Sequence, residues 1–338
     1  MNKIRWGIIG SGGIARKRTI PGLLLAENAV CTAIMDTNEA FLNEVGDQFG
    51  IEKRYTDLDS ILADEEIDAV YIATPVFTHK EQVFKAASAG KHILLEKPMG
   101  LTTEEGKEMK NFCLDAGVKL GVGFMMRFHA AHTGIKKLLL DGRIGEIVSA
   151  YAKFNCRSEV SPQKWRQTKA YSGGGTMMDM GIHCIDLLTY LTGLKVKELA
   201  AISGNQIYKY PDVEDAATAV MKMDNGALFT VEANFNIPDS VGGCRFDIYG
   251  TNGSISAVGT IGQVEAGTVK YITEADADAG FVTLKYTSGN MYTKEIEAFS
   301  AAIMNDTVPP VTADDAIYDQ AIVEAVYESY ESASLVKL

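Results

Sequence analysis

Directly after an apolar run, Ile4-Arg5-Trp6-Gly7-Ile8-Ile9, the chain reads Gly10-Ser11-Gly12-Gly13-Ile14-Ala15. A turn of this kind between a strand and a helix leaves few folds open. Gly10 permits the tight turn, Gly12 lets backbone approach a ligand, and small Ala15 lets the next helix pack close to the strand. The unpaired N–H groups at that helix start then face an anion such as a pyrophosphate. A ligand-free βα turn uses the same glycines, so context has to decide. The second apolar run, Val30–Met35, ends in Asp36, roughly 20 residues past the loop. An acid placed there bonds the adenosine ribose hydroxyls and repels a 2′-phosphate. Thr37 and Asn38 bring no cation for such a phosphate. The pattern predicts a site for NAD in preference to NADP, contacted by Gly10, Ser11, Gly12, Gly13, Ile14 and Asp36.

Further apolar runs follow at Ala69–Ala73, His92–Leu95 and Val118–Val122, alternating with helical patterns at His79–Ala89 and Thr103–Ala116. That rhythm is the signature of βαβ units and a parallel sheet. Pro21 is expected to split the first helical segment, because a mid-helix proline removes a donor and clashes. The rhythm changes near residue 124. Beyond it come a helix at Ala130–Leu140, alternating runs at Ile147–Arg157, Glu198–Gln206, Ala216–Met223, Ala227–Asn236, Arg245–Tyr249 and Thr268–Thr273, and closing helices near Glu295–Asn305 and Asp314–Leu335. Turn sequences such as Asp224-Asn225-Gly226 suggest an antiparallel meander. The expected class is α/β: a Rossmann domain over residues 1–123, then an α+β domain over 124–338 with an open, mainly antiparallel sheet.

The 338 residues exceed one ordinary core and suit two domains. With 32 Lys and Arg against 44 Asp and Glu the net charge is −12, which argues against nucleic acid or an anionic membrane as partner. Five scattered cysteines without a C-x-x-C pair read as buried thiols in a reducing compartment. No apolar run approaches the roughly 18 residues of a membrane span, and no signal-peptide core is visible. The expected location is cytoplasmic.

Two further motifs carry chemistry. Thr74-Pro75, followed by His79, and Glu96-Lys97-Pro98 close successive strands of the parallel sheet, whose carboxyl ends face the ligand crevice. A lysine there donates to a substrate oxygen, or joins proton transfer when desolvated, although Lys-Pro alone equally suits a surface turn. In Gly173-Gly174-Gly175-Thr176-Met177-Met178-Asp179-Met180-Gly181-Ile182-His183-Cys184-Ile185-Asp186, helical spacing puts Asp179, His183 and Asp186 on one face. A carboxylate one turn from an imidazole orients it and stabilises its cation, while an isolated Asp/His pair is more often a solvated face. His129 and His132 could share a face, but no spacing for a metal site accompanies them. No metal is expected.

In combination, the Gly10–Ala15 loop, Thr74-Pro75 with His79, Gly90-Lys91-His92, Glu96-Lys97-Pro98, Gly142-Arg143-Ile144-Gly145 and the Gly173–Asp186 segment resemble the Gfo/Idh/MocA family of oxidoreductases over nearly the whole chain. That family is named for glucose–fructose oxidoreductase and inositol dehydrogenase. The resemblance implies hydride transfer between a nicotinamide and a secondary alcohol of a sugar or cyclitol. It implies Lys97, Asp179 and His183 as the catalytic trio and a cis peptide at Lys97–Pro98. It also implies Arg127, Trp165 and Arg166 near the cofactor, with Thr74, Pro75, His79 and Glu96, and a homodimer or homotetramer. Tyr151, Asn155 and Arg157 are weaker candidates for substrate contact. His129-Ala130-Ala131-His132, Trp165-Arg166 and the length are similar to the 1,5-anhydrofructose reductase branch, whose NADP preference Asp36 opposes. Two alternatives keep part of the machinery: a glycosidase working by transient sugar oxidation, and a non-catalytic dinucleotide-responsive regulator.

Overall fold

The computed structural model describes residues 3–158, 165–208, 210 and 212–338. The chain forms two compact units, Met1–Met125 with Asn290–Ile317, and Met126–Gly289 with Tyr318–Leu338.

The first unit is built on a parallel sheet of β1 (Ile4–Ile9), β2 (Ala29–Met35), β3 (Lys53–Tyr55), β4 (Ala69–Ile72), β5 (His92–Glu96) and β6 (Leu120–Gly123). Their spatial order is β3-β2-β1-β4-β5-β6, the doubly wound order with its switch point beside β1. All four residues of β4 are buried, as a strand covered by helices on both faces must be. The first helix does not break at Pro21. It widens instead into a π turn over Ala15–Thr19, where the Ile20 N–H bonds the Ala15 carbonyl, and Pro21 falls in the first turn of the α segment Ile20–Leu25. There its missing N–H costs little.

Asn290–Ile317 departs from the division expected at residue 123, since it packs with the first unit. Its helix Met291–Met304 buries Ile296 and Phe299 with Trp6, Ile8 and Ile34 in one core. Trp6 and Phe299 lie 5.8 Å apart, and Trp6 Nε1 donates to Ser300 Oγ at 3.1 Å. A Cβ on Gly121 would come within 2.7 Å of the Phe299 ring. Nothing in the local pattern of residues 290–304 announces that partner.

The second unit contains β7 (Ile147–Asn155), β8 (Val196–Gly204), β9 (Ala216–Met223), β10 (Leu228–Asn234), β11 (Arg245–Gly250), β12 (Gly253–Val258), β13 (Thr268–Thr273), β14 (Val282–Thr283) and β15 (Val336–Lys337). Their order is β14-β13-β12-β11-β7-β10-β9-β8-β15. Every neighbouring pair is antiparallel except β7 with β10. The simple meander is thus interrupted, because β7 inserts between β10 and β11. Alternation remains clear: in β9 Ala217, Ala219, Met221 and Met223 are buried while Thr218, Val220 and Lys222 are exposed. One sheet face therefore meets the core and the other is open.

Candidate active site

In the first unit, Gly10 has φ +85°, and a Cβ there would lie 2.7 Å from the Thr74 methyl. A side chain at Gly12 or Gly13 would meet no atom within 4 Å. The protein does not fill the space above these two glycines, which fits a backbone kept bare for a pyrophosphate. Ser11 is fully buried and its Oγ lies 3.4 Å from Asp36 Oδ2. The other Asp36 oxygen accepts the Asn38 N–H at 3.0 Å, so the carboxylate is braced at the end of β2. Arg16, the nearest cation along the first helix, bonds Glu44 and Gln48 and lies over the Phe41 ring.

His79, expected near the cofactor, is held by backbone carbonyls of two turns. It is 1% exposed, with Nε2 3.0 Å from the Thr74 carbonyl and Nδ1 3.1 Å from the Pro98 carbonyl and 3.3 Å from that of Met99. The ring lies between the turn after β4 and the turn after β5, and in its neutral form it donates to one of them. Burial lowers its pKa to about 4, outweighing the opposing pull of those carbonyls, so it stays neutral and donates from one nitrogen only. The peptide Lys97–Pro98 is cis, matching the implied geometry. Glu96 accepts the Tyr71 hydroxyl at 2.6 Å on Oε1 and the Lys97 N–H at 3.2 Å on Oε2. Its carboxylate thus stiffens the strand end that presents Lys97. Thr74 Oγ1 donates to Gln82 Oε1 at 2.6 Å, and Pro75 opens a single short turn, Val76–Thr78.

In the second unit, Asp179 lies inside a π turn, Met177–Gly181, that continues into helix Ile182–Thr192. Such widened turns recur at functional sites. Gly181 gives room to Met177, whose Sδ would lie 2.1 Å from a Cβ there and would have to move. His183 is 4% exposed, with its ring centroid 6.1 Å from that of Phe154, while Asp179 is half-buried. Asp186 has a different task from the one that shared-face spacing suggested. It is fully buried, and its Oδ1 accepts Arg127 Nε at 2.8 Å and Nη2 at 2.5 Å. The Arg127 guanidinium also stands 4.8 Å from the Tyr190 ring centroid. Arg127, expected near the cofactor, here ties its own turn, Met125–Phe128, to the helix that carries His183.

Strand parity separates the weaker candidates from His183. Phe154 points toward the imidazole, so Tyr151 and Asn155 of the same strand point to the opposite face of the sheet, and Arg157 lies past the strand's end. Tyr151 there donates to Glu232 at 2.9 Å, Asn155 Nδ2 to the Gly242 carbonyl at 3.2 Å, and Arg157 Nε to the Tyr208 hydroxyl at 3.2 Å. Trp165 and Arg166 form a short turn in which the guanidinium covers the indole at 4.2 Å. His129 Nδ1 accepts the Ala131 N–H as cap of helix Ala130–Leu140, and His132 Nδ1 lies 2.7 Å from the Met126 carbonyl. No cluster of three metal-ligating side chains occurs among the described residues. The cysteines are free thiols, and burial pushes Cys31 and Cys113 up to about 12.

The glycine run before Asp179 also reveals residues the sequence did not single out. A Cβ on Gly174 would fall 2.1 Å from the Tyr327 hydroxyl, and one on Gly175 2.0 Å from the Glu214 carbonyl. The run signals a close approach. Which residues approach is not written in it.

Residues 4–124 match the oxidoreductase family with an NAD-binding Rossmann fold, and residues 132–256 match the GFO/IDH/MocA C-terminal domain. The chain belongs to the GFO/IDH/MocA oxidoreductase family. It is an oxidoreductase with an NAD-binding Rossmann domain, of the dehydrogenase and reductase kind. Among relatives, 1,5-anhydro-D-fructose reductase of Ensifer adhaerens is 30% identical over 96% of each chain. The scyllo-inositol 2-dehydrogenase (NAD(+)) of Bacillus subtilis is 28% identical over 100% of this chain and 97% of its own. Levoglucosan dehydrogenase in complex with NADH and levoglucosan superposes with a TM-score of 0.89 at 28% identity, covering 99% of both chains. No described helix is long and apolar enough to cross a membrane.

Proposed function

We propose that this family member interconverts a secondary alcohol and a ketone on a pyranose or cyclitol, using NAD in preference to NADP. The observation that carries the cofactor choice is Asp36, braced by Ser11 and Asn38 while Arg16 is held by Glu44 and Gln48. The substrate class rests on the relatives, named for an anhydrosugar, an inositol and levoglucosan.

The nicotinamide, when bound, supplies or accepts the hydride. Gly10, Ser11, Gly12, Gly13 and Ile14 would hold its pyrophosphate and Asp36 the adenosine ribose. In oxidation His183 takes the hydroxyl proton and Asp179 steadies the resulting imidazolium, while Lys97 is the candidate donor to a substrate oxygen. Acid–base help of this kind is worth roughly 10²–10⁴-fold. In reduction His183 returns the proton. The exposed apolar side chains on the open sheet face, Ile202, Val220, Leu228, Tyr249 and Val258, support self-association through that face.

A spectrophotometric screen of NAD and NADP reduction over pyranoses, anhydrosugars, inositols and sugar acids tests the reaction. On the best substrate, Lys97→Met and His183→Ala should each lose turnover by two orders of magnitude or more, with NADH affinity within about twofold of the parent protein, because interactions made mainly in the transition state cost rate. Near-normal turnover in both variants would overturn the assignment of the trio.

A further inference from the structure

A helix start leaves four N–H groups without an acceptor inside the helix. In the helix that carries Asp179 and His183 these belong to Gly175, Thr176, Met177 and Met178, since the Asp179 N–H is the first to bond back, to the Gly175 carbonyl at 3.0 Å. No side chain at the cap position serves them, because Thr176 makes no capping bond. All four are met from far along the chain. Glu214 Oε2 accepts Gly175 N–H at 3.0 Å, its carbonyl accepts Thr176 N–H at 3.1 Å, and Oε1 accepts Met177 N–H at 2.8 Å. The Tyr327 hydroxyl accepts Met178 N–H at 3.2 Å and donates to Glu214 Oε1 at 2.9 Å.

We propose that Glu214, clamped by Tyr327, is the positioning residue that sets Asp179 and His183 for proton transfer. The proposal rests on the assignment of His183 as the proton-handling group. Glu214 is 8% exposed and immediately precedes Asp215, itself fully buried, whose carboxylate accepts the N–H groups of Gln206, Ile207 and Tyr208. Its backbone is thus pinned from the other side. The first residue held by the helix's own ladder is Asp179, so the clamp fixes the turn in which that carboxylate stands, and His183 follows one turn later. A carboxylate at a helix N-terminus also gains from the dipole, which offsets part of the cost of burying it. Glycine at 174 and 175 keeps the approach open.

The test uses the full chain and three variants, Glu214→Gln, Tyr327→Phe and His183→Ala. Glutamine offers one acceptor oxygen and turns an NH₂ toward a backbone N–H, so it breaks the clamp without changing volume. The His183 imidazole is followed by NMR titration, its resonance assigned as the one lost in His183→Ala. In Glu214→Gln its titration should move by more than half a pH unit, and on the best screened substrate kcat should fall at least tenfold with NADH affinity unchanged. Tyr327→Phe should move the titration in the same direction by less, and it serves in place of Glu214→Gln should that variant not fold. An unmoved His183 titration with parental kcat in a folded variant would overturn the positioning role. Parental turnover in His183→Ala would overturn the assignment beneath it, so the two failures are told apart.

Discussion

Two glycine runs precede two helices in this protein, and they are glycine for opposite reasons. At the first, side chains on Gly12 and Gly13 would meet open space. At the second, side chains on Gly174 and Gly175 would strike Tyr327 and Glu214. Gly12 and Gly13 leave open space, as a ligand's approach would require, and Gly174 and Gly175 keep room for the fold. The same contrast runs through the sites they introduce. Asp36 is braced by residues close to it in space along β1 and β2, whereas Asp179 and His183 sit in a helix held by a strand entry, a C-terminal tyrosine and a buried ion pair.

The largest expected effect tests how heavily the second helix leans on its distant partners. Asp186→Asn leaves the Arg127 guanidinium buried without its carboxylate, and breaking a buried pair costs about 3–5 kcal/mol. Urea unfolding should show that loss. A change below about 1 kcal/mol would mean the pair is dispensable to the helix.

Next comes the glycine contrast itself. Gly175→Ala forces a Cβ against backbone and should destabilise by about 1–3 kcal/mol, as overpacking does. Gly12→Val should leave stability within about 0.5 kcal/mol, the usual range for changes away from packed features, and weaken NADH binding at least tenfold. Thermal melts and fluorescence titration of both variants decide. Equal melts would erase the distinction drawn here.

Each unit also contains a buried neutral histidine, His79 held to about 4 and His132 to about 3, chiefly by burial. Below the ordinary imidazole value near 6.5 the unfolded chain takes up protons that these rings refuse. Their contribution to stability is therefore complete above about pH 6.5 and lost as pH falls toward the folded values, by about 2 kcal/mol per ring between pH 7 and pH 5. His79→Gln should flatten the pH dependence of urea unfolding in that window. An unchanged slope would show that His79 is charged in the folded bracket.

The smallest effect concerns the cofactor half alone. Asp36→Ala should narrow the preference for NADH over NADPH by at least tenfold, about 1.4 kcal/mol, with little change in melting temperature. Equal affinities in the parent protein would remove Asp36 from that role.

Much of the fold was legible because it is written in local periods. Most strands of the two sheets, though not the short β3, β14 and β15 or the strand β12, follow with the helix Ala130–Leu140 and the loop Gly10–Ala15 from alternation, helical spacing and turn chemistry, which need only neighbouring residues. The place of Lys97 at the end of a strand, and of Asp179 and His183 one turn apart, was legible for the same reason. What the sequence by itself did not determine is which distant groups answer a local demand. Pro21 demanded relief, and the tertiary packing supplied a π turn in place of a break. His79 and Arg127 were legible as polar candidates, and only the fold shows that carbonyls and Asp186 are among their partners. The strand order that inserts β7 between β10 and β11, and the capture of Met291–Met304 by Trp6, are choices among partners with similar local patterns. They are decided by which packing buries the most apolar surface while leaving no buried N–H unmet, a sum over the whole chain that no short stretch of residues contains.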